Sequence, residues 1–247
     1  MFEFLKRKKK GPVISTLPIT TDIHSHILPG IDDGAPDIAT ALNLVKGIYA
    51  LGIRKTVATP HVISDLYRNT PATINAALKQ LQDACLAAEI DIQIAAAAEY
   101  MLDDYFLQLL RGTTPLLTVH KNIILTEQSY ASATDNLHQI AFEIITAGYR
   151  PIMAHPERYH FYHHDYDAYK RLKDMGFLLQ VNLLSLTGYY GKPVAKAAKY
   201  ILANNLADLV GTDLHHERHL DALSDNKNKI LFREVLNSKI FNKDMQF

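Results

Sequence analysis

The stretch Thr21–Ala35, TDIHSHILPGIDDGA, decides how the rest of the sequence is interpreted. His24 and His26 follow an apolar run, and alternate residues of a strand point to the same face, so both imidazoles can converge on one point. A Pro-Gly turn separates them from the acidic pair Asp32 and Asp33. Imidazole nitrogens and carboxylate oxygens together suit Zn, Fe or Mn. Taken alone, the stretch fits hydrogen-bonded histidines equally well.

Composition places the chain among ordinary globular proteins. Its 247 residues are 48% hydrophobic and 21% charged, and the formal net charge is +0. A neutral chain without a basic, aromatic stripe argues against a nucleic-acid partner. Twelve histidines are many for this length, and several of them follow predicted strands. We expect no membrane span, because no apolar run approaches the roughly 18 residues that a transmembrane helix needs.

The first residues, MFEFLKRKKKGP, are strongly basic. The apolar stretch that follows is too short for a signal peptide, so we expect a cytoplasmic protein. We assign residues 1–18 to a solvated tail and residues 19–247 to a single catalytic domain. The charges leave open a weak contact between this tail and an anionic membrane surface or an acidic partner.

The single cysteine, Cys85, lies in a helical pattern and is expected to be a small buried residue. One thiol cannot form an internal disulfide, which fits a reducing compartment. A cysteine-based phosphatase would need an arginine six residues further on, and that position is Asp91. The sequence therefore excludes that mechanism.

Short apolar runs alternate with helical patterns along the chain. After the opening strand, we predict strands within 55–59, 91–98, 122–126, 150–154, 177–181 and 208–212. The predicted helices cover 37–51, 70–88, 135–147, 167–175, 194–204 and 225–236. Continuous apolar strands indicate a parallel sheet covered on both faces, and about seven strand–helix repeats indicate a (β/α) barrel. An open doubly wound sheet is the alternative, although no glycine-rich phosphate loop follows the first strand.

Residues that can bind metals stand at the carboxyl ends of nearly all these strands, where barrel active sites are built. They are His24, His26, His61, Glu99, Glu127, His155, Asp213 and His215, with Asn182 at the remaining strand end. Burying so many of these groups without cations would be costly, so the pattern predicts two or three divalent ions. Nitrogen and oxygen ligands without thiolate favour Mn, Fe or Zn over Ca.

Two arginines follow the predicted strand ends. Arg158 lies in HPERY and Arg218 in TDLHHER, and a guanidinium group can bind two phosphate oxygens at once. Closely spaced divalent ions support the hydrolysis of phosphate esters. The residues therefore indicate a phosphoester hydrolase, although a surface or structural salt bridge is an alternative role for each arginine.

These segments together resemble the PHP (polymerase and histidinol phosphatase) family. The motifs that carry the resemblance are DIHSHILPGIDDGA (22–35), ATPH (58–61), AAEY (97–100), ILTEQSY (124–130), AHPERY (154–159) and GTDLHH (211–216). Within that family the chain is similar to bacterial metal-dependent protein-tyrosine phosphatases encoded with capsule or exopolysaccharide genes. The resemblance implies a distorted seven-stranded TIM-like barrel, (β/α)7, with three metal ions. Mn would be the usual metal, with Fe, Zn or Mg as alternatives.

The resemblance also implies a role for each site residue. The first ion would be held by His24, His26, Glu99 and Asp213. The second would be held by Glu127 and His155, with Glu99 as the bridge. The third would be held by Asp33, which the family pattern favours over Asp32, together with His61 and His215. Arg158 and Arg218 would bind the substrate phosphate.

The reaction implied by the resemblance is the hydrolysis of phosphotyrosine by a metal-bound hydroxide, without a covalent phosphoenzyme. The implied partner is the phosphotyrosine-rich tail of a membrane-associated tyrosine kinase that regulates polysaccharide export. Three other readings stay open: a small-molecule phosphatase of the histidinol-phosphate type, a nuclease of the same family, and a metal-binding regulatory protein of polysaccharide assembly. The sequence does not fix the oligomeric state.

Overall fold

The computed structural model describes residues 13–236, 241–243 and 245. The basic residues of the predicted tail lie outside this part of the chain, so the structure does not bear on them. The folded part begins before residue 19, because Leu17 is buried and its backbone N–H donates to the carbonyl of Leu51 at 2.8 Å. Within the described residues, no helix is long and apolar enough to cross a membrane.

The strands alternate with helices as the apolar pattern predicts. In chain order the strands are β1 Thr21–Asp22, β2 Lys55–Ala58, β3 His61–Ile63, β4 Tyr67–Arg68, β5 Gln93–Ala96, β6 Glu99–Met101, β7 Ile123–Glu127, β8 Arg150–Ala154, β9 Leu178–Asn182 and β10 Leu209–Gly211. They form one sheet in the order β1-β2-β5 and a second in the order β10-β9-β8-β7-β6-β3-β4. All neighbours are parallel except β3 and β4, which form an antiparallel hairpin. The prediction of a parallel α/β fold is confirmed.

The helices pack against the strands. They are α1 Ile38–Ala50, α2 Pro71–Ala87, α3 Asp104–Leu110, α4 Leu137–Thr146, α5 Asp167–Asp174, α6 Lys192–Ala203, α7 Glu217–Ser224 and α8 Asn226–Leu236. Their starts follow the expected capping chemistry: Asp37 accepts a hydrogen bond from the backbone of Thr40, and Thr70 forms a capping box with Thr73. Helices α3 and α7 are not among the predicted helices.

Two strand segments each consist of a pair of short strands separated by two residues, which the sequence does not predict: β2 is followed by β3, and β5 by β6. Beyond β2, residues Thr59 and Pro60 interrupt the ladder before β3 begins. Proline has no N–H to donate, but its carbonyl accepts from the backbone of Glu99 at 3.0 Å. The interruption turns the following residues, His61 and Glu99, toward the same region at the carboxyl end of the sheets.

Backbone hydrogen bonds join the first and last strand segments. The N–H of Asp213 donates to the carbonyl of His24 at 2.8 Å, and the N–H of His26 donates to the carbonyl of Leu214 at 2.8 Å. Ser25 forms a parallel bridge with Leu214. Segments at opposite ends of the chain therefore lie side by side.

Side chains reinforce the same contact. Asn242 donates to the carbonyls of Thr21 and Val210 at 2.8 and 2.7 Å. The buried carboxylate of Asp22 accepts from the backbone and hydroxyl of Thr212. These side-chain hydrogen bonds add to the backbone hydrogen bonds between the two segments.

The buried apolar residues form two clusters. The smaller cluster takes at least one side chain from each of the successive strand segments, and its members include Ile23, Val57, Ala97, Leu125, Ile152, Leu178 and Leu209. The larger cluster lies between the strands and the helices. Full burial of each Val, Leu or Ile side chain contributes roughly 1.5–3 kcal/mol, so the two clusters supply most of the stability.

Candidate metal centre

The carboxyl ends of the strands bring the predicted ligands together. His24 and His26 follow β1, His61 opens β3, Glu99 opens β6, Glu127 ends β7, His155 follows β8, and Asp213 and His215 follow β10. The remaining predicted ligand, Asp33, lies in the loop before α1. Most of these side chains are almost completely buried, while those of His61 and His215 are 13% and 14% exposed.

Glu99 occupies the centre of the cluster. Its Oε2 lies 3.3 Å from Nε2 of both His24 and His26 and 3.1 Å from Nδ1 of His61. Its Oε1 lies 3.1 Å from Nε2 of His155. One carboxylate therefore faces four imidazoles contributed by three other strand segments.

Two further carboxylates contact the histidines of this centre. Oε1 of Glu127 lies 2.9 Å from Nδ1 of His61. Oδ1 of Asp213 lies 3.4 and 3.5 Å from Nε2 of His24 and His26. His24, His26 and His61 therefore each lie within 3.5 Å of oxygens from at least two carboxylates.

The cluster has the properties of a cation site. Four of its buried atoms have no hydrogen-bond partner: Nδ1 of His61, both carboxylate oxygens of Glu99 and Oε1 of Glu127. An unsatisfied buried polar atom costs about 1–3 kcal/mol, and more when the group is charged. Divalent ions would satisfy these atoms, and a set of nitrogen and oxygen donors suits them. The residues therefore fit a metal centre.

The donor atoms fall into four groups in which all members lie within 4.8 Å of one another. The groups are His26, Asp33, His61 and His215; His24, His26 and Asp213; His24, Glu99 and His155; and His61, Glu99 and Glu127. They overlap with the three predicted sets without coinciding, because Nε2 of His24 and Nε2 of His26 lie only 3.2 Å apart and join several groups. The division of ligands among individual ions stays a prediction.

The two aspartates of the DDG motif have different positions. Asp32 is turned inward, and its Oδ2 accepts a hydrogen bond from Nδ1 of His26 at 2.8 Å. The side chain of Asp33 is 51% exposed, and its Oδ1 lies 3.5 Å from His61 Nε2 and 3.6 Å from His215 Nε2. The structure thus places Asp33 beside the two histidines predicted to share its ion, whereas Asp32 forms a hydrogen bond that orients His26. The role of Asp33 as a ligand stays a prediction.

Two buried amides behind the cluster form a chain that the sequence prediction missed. Nδ1 of His24 donates to Oε1 of Gln180 at 2.8 Å, and Nε2 of Gln180 donates to Oδ1 of Asn182 at 2.8 Å. Nδ2 of Asn182 then donates to Oδ2 of Asp213 at 2.6 Å. These hydrogen bonds fix the His24 tautomer in which Nε2 is free to bind a metal. Its only sequence signal is two polar amides in an otherwise apolar strand.

Charges within the cluster shift the pKa values of its histidines in opposite directions. Burial disfavours a proton on His24, but Glu99 and Asp213 outweigh it and raise the pKa to about 9. At His26 burial likewise lowers the pKa, but Asp32 and Glu99 outweigh this effect and raise the pKa well above its usual range. At His155 burial prevails and lowers the pKa to about 4. Protons and metal ions would compete for the same imidazole nitrogens, so metal binding would be coupled to proton release.

The backbone around the cluster is strained or tightly packed at several points. His155 and Asp213 adopt left-handed φ angles of 34° and 52°, which are unfavourable for residues with a side chain. A Cβ on Gly34 would lie 1.9 Å from the carbonyl oxygen of His26, and one on Gly211 would lie 2.9 Å from Cβ of His24. These glycines of the DDG and GTD motifs are therefore required by close packing around the histidines.

A pocket of about 250 Å³ opens onto the centre, and Arg158 lies in its wall. The guanidinium group donates to Oδ2 of Asp213 at 2.7 Å. It lies between two tyrosine rings, 4.9 Å from the centroid of Tyr130 and 4.3 Å from that of Tyr190. These contacts hold a cation at the mouth of the metal centre, where an anionic substrate would arrive.

Arg218 has a different environment. It lies in the first turn of α7, is exposed, and does not line the pocket. Among the described residues it makes no recorded hydrogen bond or ion pair, so its role in phosphate binding stays a prediction. His219 on the same helix does line the pocket, as does Tyr190, and neither was among the predicted site residues. His219 accepts a hydrogen bond from the backbone of His215 at 3.3 Å.

Fold and site together define an α/β protein with a cluster of metal-ligand residues at the carboxyl ends of its parallel strands. The chain belongs to the CpsB/CapC family of capsular polysaccharide synthesis proteins, whose family model matches residues 20–231.

Individual relatives agree with this assignment. The chain is 29% identical to the tyrosine-protein phosphatase YwqE of Bacillus subtilis over 195 residues, which are 79% of this chain and 77% of the relative. A solved structure from work on YwqE and on CpsB of Streptococcus pneumoniae, described as unique metal-dependent tyrosine phosphatases, matches with a TM-score of 0.76. That match has 26% identity and covers 92% of this chain and 98% of the other. A histidinol phosphate phosphatase from Lactococcus lactis matches with a TM-score of 0.52 and 13% identity over 90% of this chain and 94% of the other, and shares the fold alone.

Proposed function

We propose that this protein is a metal-dependent protein-tyrosine phosphatase. The observation that carries the proposal is the buried cluster around Glu99, whose carboxylate oxygens have no hydrogen-bond partner and face four imidazoles. The cluster opens into a pocket with Arg158 in its wall, as phosphate binding requires. The named relatives are tyrosine phosphatases and match most of the chain.

The centre would hold three divalent ions, with Mn as the first choice and Fe, Zn or Mg as alternatives. Four overlapping groups of nitrogen and oxygen donors, without a thiolate, support this composition. Bound ions would supply Lewis acidity at the phosphate oxygens and a nucleophile derived from water at neutral pH.

The protein's own residues would bind and orient the phosphate ester. Arg158 would form hydrogen bonds with nonbridging oxygens and neutralise the charge that develops on them. The rings of Tyr130 and Tyr190 keep the guanidinium group in place and offer an apolar surface to the substrate phenol. Arg218 would add a second cation from α7. No residue becomes phosphorylated in this scheme, in agreement with the burial of Cys85 in α2.

The pocket favours a phosphotyrosine over histidinol phosphate. An amino alcohol substrate needs a carboxylate for its ammonium group, but the carboxylates of the pocket, Asp33 and Asp213, both belong to the groups of metal donors. Aromatic rings and imidazoles form much of the remaining wall. This composition suits the aromatic ring of a tyrosine.

The substrate would be a phosphotyrosine protein, namely the tail of a membrane-associated tyrosine kinase, and the enzyme would act in the cytoplasm. The family's description as capsular polysaccharide synthesis proteins supports this setting. The basic tail would add a weak contact with the membrane surface.

Residues 19–247, together with the buried Leu17, would form one domain in which the two sheets close into a distorted seven-stranded barrel. The hydrogen bonds between the first and last strand segments support closure, as does the smaller apolar cluster, to which every strand segment contributes at least one residue.

The test is an activity assay on protein treated with a chelator and then reloaded with Mn, Fe, Zn or Mg. We expect hydrolysis of phosphotyrosine peptide and p-nitrophenyl phosphate, and little hydrolysis of phosphoserine peptide or histidinol phosphate. Glu99→Gln should abolish activity, whereas Glu143→Gln, which removes a surface partner of Arg111, should not. Preferential hydrolysis of histidinol phosphate would indicate a small-molecule phosphatase instead. Inactivity with every metal and every ester would favour the regulatory role.

A further inference from the structure

A second cleft of about 560 Å³ lies beside the pocket of the metal centre. One wall comes from the segment after Arg158, with His160, Phe161 and Tyr166. The opposite wall comes from the first turns of α6, with Lys192 and Lys196. We refer to it as the basic cleft.

Two stretches of chain connect the basic cleft to the pocket. Arg158 lines the pocket and His160 lines the basic cleft, while Tyr190 lines the pocket and Lys192 lines the cleft. In each stretch the two residues are separated by one position, and such a step spans at most about 7 Å of extended chain. A peptide bound in the pocket can therefore extend into the cleft within a few residues.

The lysines of the basic cleft are available to bind an anion. No aspartate or glutamate lines the cleft. Among the described residues neither Lys192 nor Lys196 has a recorded ion pair, and Nζ of Lys196 lies 6.0 Å from the ring centroid of Tyr166.

The neighbouring acidic residues are already paired elsewhere. Asp165 forms an ion pair with Arg171, and Asp167 forms one with Lys170. The positive charge of the cleft is thus not neutralised by nearby carboxylates.

We propose that the basic cleft binds a second phosphotyrosine on the same peptide whose first phosphotyrosine occupies the metal centre. The inference rests on the proposed function. Phe161 and Tyr166 offer aromatic surface to the phenyl ring, and the two lysines offer cations to its phosphate. Alternate residues of an extended peptide lie roughly 7 Å apart on one face, so the second phosphotyrosine would follow the first after about two to four residues. The enzyme would accordingly prefer multiply phosphorylated segments.

The experiment compares peptides that differ only at the second position, with full-length, Mn-loaded protein. That position carries tyrosine, glutamate or a nonhydrolysable phosphonate analogue of phosphotyrosine, at spacings of two, three and four residues. We expect kcat/KM at the first position to be about three- to tenfold higher with the phosphonate than with tyrosine at the best spacing, as two exposed charge contacts would provide. Because nonproductive binding lowers kcat and KM together, kcat/KM is unaffected by it.

The double variant K192E/K196E should lose this preference while its kcat/KM for p-nitrophenyl phosphate and the tyrosine peptide stays unchanged. K199E makes the same kind of charge change on an exposed position of α6 outside the cleft and should retain the preference. An equal gain with glutamate would overturn the assignment to an aryl phosphate. So would an active enzyme without any preference, or a preference that survives in K192E/K196E. Absence of hydrolysis of every phosphotyrosine substrate would instead refute the proposed function.

Discussion

Replacing Gln180 by leucine should weaken the metal centre without touching a ligand. The side chain is fully buried, and its two hydrogen bonds connect His24 with Asn182. Leucine has a similar volume but neither donor nor acceptor. Nδ1 of His24 and Oδ1 of Asn182 would then be left buried and unpaired.

The structure sets the size of the effect. Each unsatisfied buried group costs about 1–3 kcal/mol, so we expect the variant to lose roughly 2–4 kcal/mol of folding free energy after partial relaxation. His24 would also lose the partner that fixes its tautomer and ring orientation. Removal of such a partner typically costs about 10–100-fold in metal affinity or activity.

Two measurements separate these effects. Urea unfolding of the chelator-treated protein reports stability, and activity titrated against Mn concentration reports metal affinity. Gln128→Leu is the matched control, because Gln128 is equally buried and its side chain forms hydrogen bonds with Tyr162, Thr134 and the sulfur of Met153. It should lose comparable stability but keep its metal affinity. A Gln180→Leu protein that reaches full activity at the wild-type Mn concentration would refute the role of the amide chain.

Three other perturbations have equally definite outcomes. Glu99→Gln keeps the shape of the side chain but removes its charge from among four imidazoles, so activity should fall by at least about 10³-fold. The assay is the turnover of p-nitrophenyl phosphate, and a near-normal rate would contradict the placement of Glu99 in the metal centre. Gly34→Ala places Cβ against the carbonyl of His26, so it should lower the folding free energy by about 1–3 kcal/mol and also weaken Mn binding. Gly148→Ala, whose Cβ would have no atom within 4 Å, should lower stability only through its backbone conformation. Equal Mn affinity in the two variants would contradict the packing argument. Mn at a hundredfold excess over its dissociation constant should add about 2.7 kcal/mol of stability and raise Tm by roughly 5–11 °C. Calorimetry with and without chelator measures this shift. An unchanged Tm would mean that the native state binds no ion.

The sequence predicts the strand–helix alternation because buried parallel strands are continuous apolar runs. It also predicts the members of the cluster, since parallel strands bring their carboxyl ends to one side, and a ligand-type residue after each end can be recognised without coordinates. His61 and Glu127 thus lie 2.9 Å apart although 66 positions separate them.

Other features depend on contacts that no local pattern encodes. Gln180 stands in an apolar strand, where a lone amide has no visible partner until His24 packs against it. Arg158 and Arg218 follow strand ends in the same way, yet only Arg158 enters the pocket, because Asp213 and two tyrosine rings hold it there. The assignment of Leu17 to a tail fails similarly, since its burial depends on a tertiary contact with the end of α1.

The hydrogen bond between Asp22 and Thr212 joins positions 190 residues apart. This separation determines when, during synthesis, the first and last strand segments can come together. At a translation rate of about 5–20 residues per second, a ribosome needs roughly 10–40 s to proceed from one to the other. During that interval His24 and His26 have been synthesised without the aspartate that faces them. The complete set of predicted ligands can therefore bind ions only after the last strand has been translated.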